Sequence, residues 1–253
     1  MSSRPNTDSQ KYRYFQFGLL VTGETEAEHL PKLFKSLMES GWCTFKVLRR
    51  VPQLPPDYSQ KKKKKLKATG TNKGIPDKYI QQIAWEARKH LNRPDTYVIM
   101  VDDLEHDRRQ QAQQVFERYR EILDTLPATQ RTRASVHFLV NMLEAYYLAD
   151  ANAINAVLGT SLADYQGDVE DIRHPKNYLG DLYPNFKEKK HGGKILQRLN
   201  VEHILSCPDT CKSLRTLFKW SVLCMGQPLS DQYQLLNGKL FDITRSQLDY
   251  TDQ

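Results

Sequence analysis

Two short acidic clusters stand where apolar runs stop: Gly23-Glu24-Thr25-Glu26 after Tyr14–Thr22, and Asp102-Asp103-Leu104-Glu105 after Thr96–Val101. An apolar run that breaks into carboxylates puts those side chains at the carboxyl edge of a buried sheet, where open α/β folds keep their sites. Hard divalent cations take oxygen ligands, and Mg²⁺ keeps several waters, so carboxylates from two neighbouring strand ends suit Mg²⁺ or Mn²⁺ facing a phosphate. Glu26, Asp102 and Glu105 are the expected ligands. Asp103 fills the same role or supports it, because adjacent residues of an extended strand point to opposite faces. Glu24 or Glu144 is the expected base, its pKa raised toward neutrality by neighbouring carboxylates. Lys73, Lys176 and Lys194 are candidates for neutralising substrate phosphate.

Each acid also has a structural explanation. Glu24, Glu26, Glu105 and Asp107 suit helix starts, where negative side chains meet the positive dipole end. Glu144 suits a helix start or a buried partner for Arg131 or Arg133. Tyr146, Tyr147 and Trp85 read as core packing rather than base-stacking platforms, and His174 and His191 as surface residues.

The elements that position these residues alternate. Tyr14–Val21 reads as a strand, Glu26–Ser40 as a helix, Thr44–Val51 as a strand, and Asp77–His90 as a helix capped by Asp77. Strand Thr96–Val101, helix Asp107–Leu126, strand Ala134–Val140 and helix Met142–Leu158 follow. This βαβαβαβ order implies an α/β fold with a mostly parallel sheet of about four strands, flanked by helices. From Gly159 onward the strand pattern disappears. Asp171–Tyr183, His191–Asn200, Val201–Ser206 and Cys211–Met225 read as short helices. The expected organisation is a tail over 1–13, an α/β domain over 14–158 with a mobile basic loop over 52–76, and a helical annex over 159–253, frayed after Gln227.

The 253 residues carry a formal charge of +7, and six lysines in one stretch, Lys61, Lys62, Lys63, Lys64, Lys65 and Lys67, account for nearly the whole excess. That run is either a solvated loop or an electrostatic arm for a phosphate backbone, reading charge and not base sequence. No 18-residue apolar run is present and Met1–Gln10 is polar, so no membrane span or secretory signal is expected and the chain reads as cytoplasmic. Four cysteines, Cys43, Cys207, Cys211 and Cys224, are too few for a disulfide framework, and Cys207, Cys211 and Cys224 with His203 match common zinc spacings poorly.

The acidic clusters, the βα order and the segment Leu143-Glu144-Ala145-Tyr146-Tyr147-Leu148-Ala149-Asp150 together resemble the TOPRIM superfamily. More narrowly, they look like a TOPRIM-related bacterial family of unassigned function in which a Glu-Ala-Trp-x-Leu-Ala-Asp-like segment follows the last strand, related to the nuclease domains of overcoming-lysogenization-defect proteins. The likeness runs from about Phe15 to Met225 and includes Pro175-Lys176 and Gly193-Lys194. It implies that Asp102 matches the first acid of the family's Asp-x-Asp, that Asp103 or Glu105 is the second, and that Glu144 matches the glutamate after the fourth strand. The superfamily's first strand usually ends in Glu-Gly, whereas here Thr22 precedes Gly23, leaving Glu24 or Glu26 to supply the essential carboxylate.

The resemblance implies a Mg²⁺- or Mn²⁺-dependent nuclease subunit acting on DNA or RNA, with an ATPase partner, in defence against phage. Thr22 motivates the alternative, a non-catalytic TOPRIM scaffold that binds nucleic acid or an ATPase subunit. Either is compatible with a homo-oligomer. A Walker-type phosphate loop is absent.

Overall fold

The computed structural model describes residues 13–54, 78–226 and 237–250. The whole expected phosphate-binding lysine run, Lys61, Lys62, Lys63, Lys64, Lys65 and Lys67, lies outside the described residues, as do Lys73 and the cap expected at Asp77. Four strands, β1 (Phe15–Val21), β2 (Cys43–Arg50), β3 (Thr96–Leu104) and β4 (Ala134–Val140), form one sheet in the order β2-β1-β3-β4, every pairing parallel. The fold is the expected α/β sheet flanked by helices. Near-continuous burial along β1, β3 and β4 is what a parallel sheet covered on both faces requires.

Strand order sets the helices' sides. The connection from β1 to β2 runs one way across the sheet, and those from β2 to β3 and β3 to β4 run the other, so right-handed crossovers put them on opposite faces. The first face takes α1 (Glu24–His29), a 3₁₀ turn (Leu30–Phe34) and α2 (Lys35–Glu39). One helix was expected there. Pro31 has no N–H to continue the ladder, and it stands at the start of the 3₁₀ turn. The second face takes α3 (Lys78–Leu91), α4 (Ala112–Leu123) and the short α5 (Ala128–Arg131).

After β4 the expected single helix is two, α6 (Leu143–Tyr147) and α7 (Ala151–Leu158). The annex then adds α8 (Pro175–Leu182), α9 (Glu188–Leu196), α10 (Val201–Ser206), α11 (Lys212–Cys224) and α12 (Asp242–Arg245). Helices α8 to α11 pack on the first face and share its apolar core, whereas Phe241 and Ile243, at α12, pack on the core of the second face. Phe34 stacks on Phe45 at 3.9 Å and on Phe218 of α11 at 5.0 Å, and such pairs each add about 1 kcal/mol to the area they bury. Among the described residues no helix is long and apolar enough to cross a membrane.

Three expectations are corrected. The end expected to fray returns to the sheet: Gln247 accepts the N–H of Val136 at 2.8 Å and donates to its carbonyl at 2.6 Å, occupying the free edge of β4 as a neighbouring strand would. Trp85 is 57% exposed on α3, with Lys89 Nζ 5.1 Å from its ring, so it is not core. His191 is buried, its Nδ1 accepting the N–H of Lys187.

Candidate functional site

The strand order reverses between β1 and β3, and open α/β sheets bind ligands outside the carboxyl ends of strands at such a switch point. Period-two alternation along β3 divides its acids. Ile99 and Val101 belong to the core under the annex, whereas Val98, Met100 and Leu104 belong to the core under α3 and α4. Asp103 therefore projects toward α1, α6 and the annex, and Asp102 toward α4. The strand runs through both residues instead of stopping before them.

Asp102, fully buried, is saturated by protein. Its Oδ1 accepts from Thr22 Oγ1 at 2.8 Å and Gln53 Nε2 at 3.0 Å, and its Oδ2 from Arg108 Nη2 at 3.2 Å. Arg108 also donates to the carbonyls of Asp103 and Leu54. The expected ligand is thus the permanent counter-ion of a mostly buried arginine. Thr22 lies beside it because β1 and β3 are in register, Val21 opposite Val101. A threonine hydroxyl can donate to the carboxylate there, where a glutamate would have repelled it.

The opposite face holds unspent acids. Asp103 Oδ1 and Glu144 Oε1 are shut from solvent without a hydrogen-bond partner. Burial pushes the Asp103 carboxyl well above its ordinary pKa, with Glu26, Asp102, Glu144 and Glu105 adding to the rise. Burial likewise pushes Glu144, 2% exposed, up to about 7, reinforced by Glu188 and Glu26 and opposed by its own N–H and by Lys176. Glu26 is raised by burial, then by Glu188 and Asp102. Its carboxylate folds back over the start of α1, where a Cβ on Gly23 would lie 1.6 Å from Oε2, so glycine is required beneath it.

Glu188 of α9 is the fourth acid and was not anticipated. Burial alone would raise it, but Lys176 Nζ at 2.5 Å and the Thr25 hydroxyl hold it below the ordinary carboxylate range. It is the anion of the group, ion-paired to the half-exposed Lys176. The Tyr147 hydroxyl, buried and without a partner, is raised by burial and by Glu144, Glu188 and Glu26. Glu144 itself opens α6 just beyond Asn141 (φ 58°) and Met142 (φ 74°, ψ 167°), a strained exit from β4 for residues with a Cβ.

The remaining expected residues separate from this group. Glu24 is exposed on the first turn of α1, where it meets the helix dipole. Glu105 is exposed and begins a 3₁₀ turn, acting on Asp103 only as a neighbouring charge. Lys194 is exposed on α9, and the adjacent Gly193 has a packing reason: a Cβ there would sit 2.6 Å from His29 Nε2. Arg133 spends its donors on the carbonyls of Leu91, Arg93 and Thr96, not on Glu144. All four cysteines are free thiols. His203 groups with Asp150 and Asp164 instead of with them, and those carboxylates accept the N–H groups of Asn200 and Ala151.

The donor set is all oxygen and has two partnerless carboxylate oxygens, the chemistry a hard divalent cation takes, but among the described residues only Asp150, Asp164 and His203 bring three ligand atoms within 4.8 Å of one another. A family model described as a domain of unknown function, DUF4276, matches residues 21–218. The chain belongs to the DUF4276 family. The matched DUF4276 span contains all four acids, from Glu26 to Glu188. No curated protein and no solved structure matches the chain.

Proposed function

We propose that this DUF4276 protein is a divalent-metal-dependent hydrolase of nucleic-acid phosphodiesters, of TOPRIM type, acting with an ATPase partner in anti-phage defence as the resemblance implies. The supporting observation is the pair of partnerless carboxylate oxygens on Asp103 and Glu144, electrostatically coupled to Glu26 and, through Glu144, to Glu188 on one face of the sheet. Buried carboxylates in this state cost free energy unless they are protonated or meet a cation. Glu26 and Asp103 would hold Mg²⁺ or Mn²⁺, which when bound supplies charge neutralisation at the phosphate and a more acidic water.

Glu144, poised near neutrality, takes up or releases a proton at its carboxyl oxygen. Glu188 fixes Lys176 beside the group through their ion pair, leaving a cation next to the place where phosphate charge develops. Tyr147 and the annex behind it exclude water from the inner side.

Incubation of supercoiled plasmid and single-stranded RNA with Mn²⁺ or Mg²⁺ tests this reading. Cleavage that EDTA abolishes, and that Asp103→Asn and Glu26→Gln each lower on the order of a hundredfold, is expected. Undiminished cleavage by both variants would refute the assignment. The Asp102–Arg108 ion pair favours a second reading, a binding module whose first catalytic acid has been converted into a structural one. That module would bind nucleic acid with a steep salt dependence and turn over nothing under either cation.

A further inference from the structure

A cleft of about 240 Å³ opens beside the acidic group, between the ends of β3 and β4 and the start of α8. Its lining combines opposite chemistries. Arg173 and Lys176 supply positive charge, and α8 begins there without a side-chain cap, with Pro175 in its first turn. Proline brings no N–H, so the N–H groups of Lys176 and Asn177 are those a helix start leaves for a ligand. Glu105 and Asp107 stand in the same wall, and Arg173 reaches Asp107 only at 3.5 Å. Asn141 lines the cleft and is 1% exposed; its Nδ2 is spent on the Glu170 carbonyl at 2.7 Å, while its Oδ1 has no partner.

The geometry points to a nucleotide subsite: the phosphate of one nucleotide seats on Arg173, Lys176 and the start of α8, and a hydroxyl or amino group of the same nucleotide donates to Asn141 Oδ1. A bare anion would satisfy the cations and leave the acceptors idle, whereas a nucleotide carries both the charge and the donors. The volume is too small to enclose a base pair and takes at most one unit of a single strand, part of it left outside the cleft. This deepens the hydrolase reading, on which it rests for its placement, by assigning where a single-stranded substrate enters.

Titration calorimetry in EDTA, where no turnover competes, tests it with adenosine 5′-monophosphate, adenosine and inorganic phosphate as probes. The monophosphate is expected to bind at least about tenfold more tightly than either of the others, and Arg173→Gln to weaken it about tenfold. Arg198→Gln, at an exposed cation elsewhere in the annex, should leave it unchanged. Absent binding, equal affinity for inorganic phosphate, or equal weakening by Arg173→Gln and Arg198→Gln would each overturn the subsite. Nucleic-acid cleavage by a protein that fails this titration would sink the subsite alone. Binding without cleavage under any cation would sink the hydrolase reading alone.

Discussion

Replacing Glu144 by glutamine is expected to stabilise the metal-free protein, the reverse of what a buried substitution ordinarily does. In the unfolded chain this carboxyl has its ordinary pKa of 4.5, and in the folded protein burial and Glu188 push it up to about 7. The folded state therefore keeps a proton that the unfolded state has given up, and its stability falls as pH climbs from about 4.5 to about 7. The difference between these two values corresponds to about 3 kcal/mol at pH 8. The side chain is too buried for solvent screening to reduce that much.

Glutamine keeps the shape, can still accept the residue's own N–H, and carries no charge to bury. In EDTA at pH 8, Glu144→Gln should be more stable than the parent by about 3 kcal/mol, or about 6–12 °C in melting temperature, with the gain shrinking to a few tenths at about pH 4.5. Glu170 is also buried and pushed up to about 7. Both proteins share that contribution, so their difference isolates Glu144. Urea unfolding at the two pH values measures it. A variant no more stable than the parent at pH 8, or one whose gain is the same at pH 4.5, would refute the account of a destabilised acid poised for a cation.

Other outcomes follow from the same contacts. Arg108→Met should cost about 3–5 kcal/mol in urea unfolding, because it strands the fully buried Asp102 charge. Gly23→Ala should leave the melting temperature within a few degrees yet abolish Mn²⁺ binding by calorimetry, since the added methyl displaces the Glu26 carboxylate. Gln247→Ala should cost about 2–3 kcal/mol by exposing the edge of β4 and orphaning both backbone groups of Val136, with a matching loss of amide-exchange protection along β4.

The sheet was legible because parallel strands leave plain apolar runs: Ala134–Val140 has the bounds that its sequence suggests, and the other strands differ by a few residues at their ends. Helix interruptions were less so. Pro31 is visible in the sequence, but the break after Tyr147 falls at Leu148-Ala149-Asp150, which holds neither proline nor glycine to announce it. At the site, alternation along β3 predicts that one of Asp102 and Asp103 faces each side, but composition cannot tell which side holds an arginine. Arg108, six residues beyond Asp102, decided it. Glu188 lies in the lysine-rich segment Lys187–Lys190, where a lone acid reads as a solvated charge, and only the approach of α9 to α1 brings it to Glu26. Gln53 was hidden for the same reason: its partner is 49 residues away.

On the proposed reading, the cation site lies on the Asp103 side of the sheet. Calorimetric titration of Mn²⁺ into Asp103→Asn and Asp102→Asn, both at a temperature where circular dichroism shows each folded, tests it most directly. Binding retained in Asp102→Asn and lost in Asp103→Asn is the predicted result; binding lost in Asp102→Asn and retained in Asp103→Asn would contradict it.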